Sequence, residues 1–165
     1  MKLPRLFTAK YFVPWINKII PYLFLLLIPL LIYSVIGALY LAPSDYQQGE
    51  AFRIIYIHVP SAFLSLLVYL IAAMMAGLSL IFRIKLCELW VEVSLRLGAW
   101  FTVLALLTGA IWGKPMWRTW WVWDARLTSE LILLFLYLGV MALKKTIKRF
   151  ENHRLLCKPV HYSFC

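Results

Sequence analysis

A chain of 165 residues that is 64% hydrophobic and only 15% charged is too apolar for a soluble domain of its size. The class is integral membrane protein. The formal net charge of +10 would fit a nucleic-acid binder, but the basic residues gather at the ends of hydrophobic runs, where they set topology. The three cysteines, Cys87, Cys157 and Cys165, are odd in number and show no CxxC or CxxCH spacing. That excludes a disulfide framework and a covalent haem attachment site, and leaves free thiols.

Taken in order, residues 1–18 carry Lys2, Arg5, Lys10 and Lys18 with no acid. An uncharged run follows from Ile19 to Ser44. It is too long for a signal-peptide core, has no small-x-small cleavage site after it, and reads as the first membrane helix, with Pro29 as a tolerated kink. A polar connector, APSDYQQGEAFRIIYIHVPSA, then turns hydrophobic at Ile54. The second helix is expected from Val59 to Phe82, with Pro60 in its first turn. Arg83, Lys85 and Glu88 form a short connector, and the third helix is expected from about Leu89 to Trp112. Glu92 and Arg96 stand four apart near its start, a spacing that pairs them on one helical face. Gly113 and Pro115 then keep the tryptophan segment from being one continuous helix. The fourth helix spans about Leu127 to Leu143, short against the ~20 residues a bilayer needs unless the tryptophan segment already lies in the interface.

Lys and Arg number 4, 6 and 2 in the two ends and the middle connector, against 1 and 3 in connectors 42–58 and 113–126. Basic residues mark the cytoplasmic side. The expectation is therefore an all-α membrane protein with four transmembrane helices and both termini cytoplasmic. A basic N-terminus (1–18) and a basic tail (144–165) flank a membrane domain (19–143). The tryptophan-rich segment 112–128 lies on the outer, periplasmic side between helices 3 and 4.

That segment, WGKPMWRTWWVWDARLT, holds five of the eight tryptophans within the twelve residues from Trp112 to Trp123. Indoles in this density suit either the headgroup layer of a bilayer or a large planar ligand with an apolar body and charged edges. His58, in YIHVP, falls on the same side. Pro60 steers Val59 away from helix, so the chain is expected to bend near His58 and Val59. A neutral imidazole there either binds a metal or bonds water or a carbonyl. Asp124 is either the N-cap of the fourth helix or a ligand-facing acid. Arg126 is four residues from Glu130, the less favourable order for a helical pair. Arginine can also meet a carboxylate through a bidentate fork; Lys114 and Arg118 read as solvated charges. One imidazole, several indoles and several cations are what haem requires: an axial nitrogen, flat apolar walls and partners for two propionates. No Ser/His/Asp set, Walker loop or HExxH is present, so hydrolytic and nucleotide chemistry have no residues to stand on.

WGKPMWRTWWVWDARLTSELILLFLYLGV resembles the WWD signature of haem-handling membrane proteins. Together with SDYQQGEAFRIIYIHVPSA it resembles one branch, the haem exporter protein C (CcmC) family of bacterial cytochrome c maturation, over about residues 20 to 143. The resemblance implies a multi-pass protein of the bacterial inner membrane, a carrier and not an enzyme. It would present non-covalent haem b on the periplasmic face and load the haem chaperone CcmE, with the small protein CcmD and the CcmAB ABC transporter as partners. His58 falls on the family's first axial histidine, and so is the residue expected to bind the iron. Trp112, Gly113, Pro115, Met116, Trp117, Trp120, Trp121, Trp123, Asp124 and Arg126 fall on the signature that contacts haem and chaperone. Two departures stand out. Arg118 occupies a position where similar sequences carry a small residue, commonly glycine. The family also continues into two more membrane helices with a second axial histidine, whereas ENHRLLCKPVHYSFC resembles neither and reads as a frameshifted or prematurely terminated ending. His153 and His161, in the basic tail, are on the wrong side to replace that ligand. The expectation is weak, five-coordinate haem binding by a four-helix CcmC-type protein; the alternative is a non-functional membrane fragment with no ligand.

Overall fold

The computed structural model describes the backbone of residues 9–157 and the side chains of residues 13–150. His153, His161, Cys157 and Cys165 fall outside the described side chains, as do most of the basic N-terminus and the last part of the tail. Among the described residues the chain forms four long helices: α1 (Ala9–Ile36), α2 (Ile55–Phe82), α3 (Lys85–Trp117) and α4 (Ala125–Cys157). A π-type turn, Gly37–Leu41, prolongs α1, and a 3-10 turn, Glu50–Ile54, leads into α2. All four are long and apolar enough to cross a bilayer, with candidate spans of 29, 33, 33 and 26 residues against the ~20 required. The expected four-span helical architecture is present.

The helix ends differ from expectation, at two prolines and at two basic flanks. Pro14, Pro21 and Pro29 all lie inside α1, which begins ten residues before Ile19. α2 begins at Ile55 and passes straight through His58, Val59 and Pro60, so the expected bend at His58 is absent. The 3-10 turn has already set the helical direction there, and packing of Ser61 and Ser65 against the bundle outweighs the bias of a residue preceding proline. α3 continues through Gly113 and Pro115 to Trp117; only from Arg118 to Asp124 is the tryptophan segment non-helical. α4 runs beyond Leu143 through Lys144, Lys145, Lys148 and Arg149. Lysine and arginine are good helix formers, and Lys148 is anchored to Glu92 of α3 at 3.1 Å. Glu92 also pairs with Arg96 at 2.8 Å, as their spacing predicts.

α2, α3 and α4 form the packed unit. One stripe of α3 is buried along its length: Cys87, Val91, Leu95, Ala99, Thr102, Ala105 and Gly109. Its small residues let neighbouring backbones approach, which is how helices associate in lipid, where tails are as apolar as leucine and burial alone gives no drive. The core cluster joins Ala72 of α2, Val91, Leu95 and Ala99 of α3, and Leu133 and Tyr137 of α4. Cys87, near the start of the buried stripe of α3, is a free thiol. α1 has no buried side chain among those described. Its C-terminal end is tied to the bundle by Arg53, whose guanidinium donates to Leu39 O and Ala42 O and pairs with Glu50 at 2.8 Å. A cation over the last carbonyls of a helix is favoured by the helix dipole.

Candidate functional site

Because α2 is helical through His58, that residue shares a face with Ser61 and Ser65 and is directed at α3. His58 Nδ1 lies 3.0 Å from Ala105 O and 3.2 Å from Thr108 Oγ1. A carbonyl oxygen only accepts, so Nδ1 carries the proton in the neutral ring and Nε2 keeps the lone pair. Thr108 directs its one hydroxyl hydrogen at Leu104 O, 2.7 Å away, and so accepts from the ring. Ring and helix meet closely: a Cβ on Gly109 would stand 3.1 Å from His58 Cε1 and 2.9 Å from Leu127 Cδ2. The sequence reading passed over Ala105, Thr108 and Gly109. The signal that could have found them is small residues four apart, Ala105, Gly109 and Gly113.

Trp112 follows Thr108 by one turn on α3. Its Nε1 donates to Gln48 Oε1 at 3.1 Å, which brings the 42–54 connector to the same end of the bundle. The connector is shaped by Asp45, whose carboxylate accepts from Gln47 N and Gln48 N at 3.2 and 3.0 Å in an Asx turn. Trp112 packs edge-on against Trp117 at 5.1 Å, and Trp117 lies over Gly113, where a Cβ would meet its ring at 3.2 Å. Pro115 is exposed on the last turn of α3, and Met116 is half-buried beside it. α3 ends at Arg118 with φ 59°, the left-handed capping conformation. Glycine is the residue this conformation favours, since a Cβ is penalised there by about 1–2 kcal/mol. Arg118→Gly is accordingly expected to stabilise the protein by about 1 kcal/mol and raise the melting temperature in detergent by about 2–4 °C.

Beyond Arg118 the loop carries the exposed indoles. Trp120 and Trp123 are exposed, and Lys114 Nζ sits 5.5 Å from the centre of the Trp120 ring in a cation–π contact. Trp121 stacks edge-on with Trp123 at 5.5 Å, and its Nε1–H is buried with no acceptor among the described residues. Asp124 is the N-cap of α4: its Oδ1 accepts from Leu127 N at 2.8 Å. Its Oδ2 accepts from Arg126 at 3.2 Å, which leaves the exposed Arg126 guanidinium with further N–H groups free. Arg126 therefore pairs with Asp124 and not with Glu130, which is engaged by Ser65 of α2. Among the described residues no three His, Cys, Asp or Glu side chains converge as a metal-ion cage. One end of the bundle thus gathers a half-buried imidazole with an available Nε2, an indole-lined loop, an orphan indole donor and an exposed guanidinium.

The chain matches the family described as heme exporter protein C, CcmC, over residues 2–157. It is 48% identical over 156 residues to heme exporter protein C of Escherichia coli K12, covering 92% of this chain and 58% of that protein. Against heme exporter protein C of Haemophilus influenzae it is 52% identical over 127 residues, 77% of this chain and 52% of the relative. A cytochrome c biosynthesis ccmC-like mitochondrial protein of Marchantia polymorpha is 53% identical over 104 residues, 63% of this chain and 46% of the relative. The chain spans about half the length of these relatives. With a match across nearly its whole length, the chain belongs to the haem exporter protein C family.

Proposed function

We propose that this protein is a haem carrier that holds haem b, without a covalent bond, at the periplasmic rim of the bacterial inner membrane. It offers the haem to the chaperone CcmE during cytochrome c maturation, with CcmD and the CcmAB transporter as partners. The role is presentation of a cargo and not catalysis. The observation that carries this reading is the hydrogen bond from His58 Nδ1 to Ala105 O. Metal-ligating histidines are typically held this way, one nitrogen bonded to a carbonyl and the other free for the metal. The loop supplies the rest of the requirement. Exposed Trp120 and Trp123 offer flat apolar walls, while Arg126 and the orphan Trp121 N–H suit the haem propionates. Asp124 acts through the loop, fixing the start of α4 and steadying Arg126. Sidedness follows from the basic residues, which favour the cytoplasm for the lysine-rich end of α4 and so the periplasm for the indoles.

Ferric haem titrated into the detergent-solubilised protein should give a saturable Soret shift at one haem per chain. A titration indistinguishable from haem in protein-free micelles is what a ligand-free membrane fragment would give, and it would overturn the proposal.

A further inference from the structure

Deeper along the same face of α2, Ser65 is fully buried. Its Oγ lies 2.7 Å from Ala62 O on its own helix and 2.6 Å from Glu130 Oε1 on α4. A serine hydroxyl has one hydrogen, and Ala62 O can only accept. If that hydrogen goes to the carbonyl, the contact with Glu130 needs a hydrogen on the carboxyl. If it goes to an ionised Glu130, two oxygens are left 2.7 Å apart with nothing between them. Both contacts are satisfied together when Glu130 is the acid and Ser65 Oγ accepts from it.

We propose that Glu130 is held as a neutral carboxylic acid within the membrane span, donating to Ser65 Oγ, and acts as the positioning residue that sets α4 against α2. Two further observations support it. Arg126, four residues earlier, is engaged by Asp124, and among the described residues Glu130 has no ion-pair partner; an intramembrane charge without a counter-ion is costly. The clasp is also doubled at one residue, since Ser65 O accepts from Tyr137 OH at 2.7 Å. Ser65 is seven residues from His58, and Glu130 is six from Asp124. Movement of α4 at this clasp therefore shifts the tryptophan loop relative to the imidazole. The positioning half of the proposal rests on the haem reading; the protonation half does not.

Infrared spectroscopy of the haem-free protein in lipid vesicles at neutral pH tests the protonation directly. The expected result is a carboxylic-acid C=O band that disappears in Glu130→Gln and shifts to higher frequency in Ser65→Ala. If the wild type minus Glu130→Gln difference shows carboxylate stretches instead, the proposal is wrong. Haem titration then tests positioning. Glu130→Gln keeps an N–H donor for Ser65 and should retain wild-type affinity, whereas Glu130→Ala should lose about tenfold, the scale of one buried hydrogen bond to the acid. Equal haem affinity in Glu130→Ala and wild type would overturn the positioning role. Absence of haem uptake by the wild type, with the acid band present, would sink the haem reading and leave the neutral acid standing.

Discussion

His58→Ala is expected to lower haem affinity by more than about 100-fold, because even groups that only support a metal ligand carry about 10–100-fold. The loss should be chemical and not structural. The ring is half-buried, and its described hydrogen bonds run to Ala105 O and Thr108 Oγ1. Thr108 also remains bonded to Leu104 O in the variant, which preserves α3. Millimolar imidazole should restore the Soret shift in His58→Ala, since the space vacated beside Gly109 admits a free ring and Ala105 O remains to orient it. Thr108→Val removes the second acceptor but leaves the carbonyl, so its effect should be smaller, about two- to tenfold. A His58→Ala protein that binds haem as the parent does would mean that the iron is held elsewhere, and the proposed site would be lost.

What could be read from the sequence follows from how local each interaction is. Four spans are legible because a bilayer demands long apolar runs; residues 19–44 and 59–82 carry no charge at all, and 127–143 carries a single acid, Glu130. Two boundaries are less legible because Pro60 argues for a bend just before it and Pro115 for a break in the helix. Pro60 and Pro115 each remove one helical hydrogen bond, and they do so near a helix end, where few bonds are at stake and packing or an adjacent turn carries the helix through. The misread bend had a consequence. Only with α2 helical through position 58 does the histidine share a face with Ser61 and Ser65 and meet α3. Asp124 stood open between cap and ligand; the distance to Leu127 N identifies it as the cap. The pairing of Glu130 was beyond sequence reasoning, because Arg126 is its local neighbour while Ser65 lies 65 positions away. Gly98 was passed over for the same reason: what it makes room for is on another helix.

Gly98→Ala should be the most destabilising small change in the bundle. Gly98 is buried on α3, and a Cβ built there overlaps the hydroxyl oxygen, Cζ and Cε1 of Tyr137. Tyr137 is itself fully buried, stacks edge-on with Tyr69 at 5.1 Å and donates to Ser65 O at 2.7 Å. Its ring cannot step aside without giving up both contacts. Overpacking a tight core costs about 1–3 kcal/mol, and leaving the tyrosine hydroxyl buried without its acceptor adds about 1–3 kcal/mol. For a chain of this size each kcal/mol lowers the melting temperature by about 2–4 °C, so a drop on the order of 10 °C in detergent is expected. The double variant Gly98→Ala/Tyr137→Leu separates overlap from any intrinsic effect of the substitution. Leucine removes the atoms that the new methyl strikes, so the double variant should lose less stability than the sum of the two single changes. Strict additivity would show that α3 and α4 do not interlock at Gly98 and Tyr137. The clasp at Ser65 would then have lost the wall that holds one of its two donors in place.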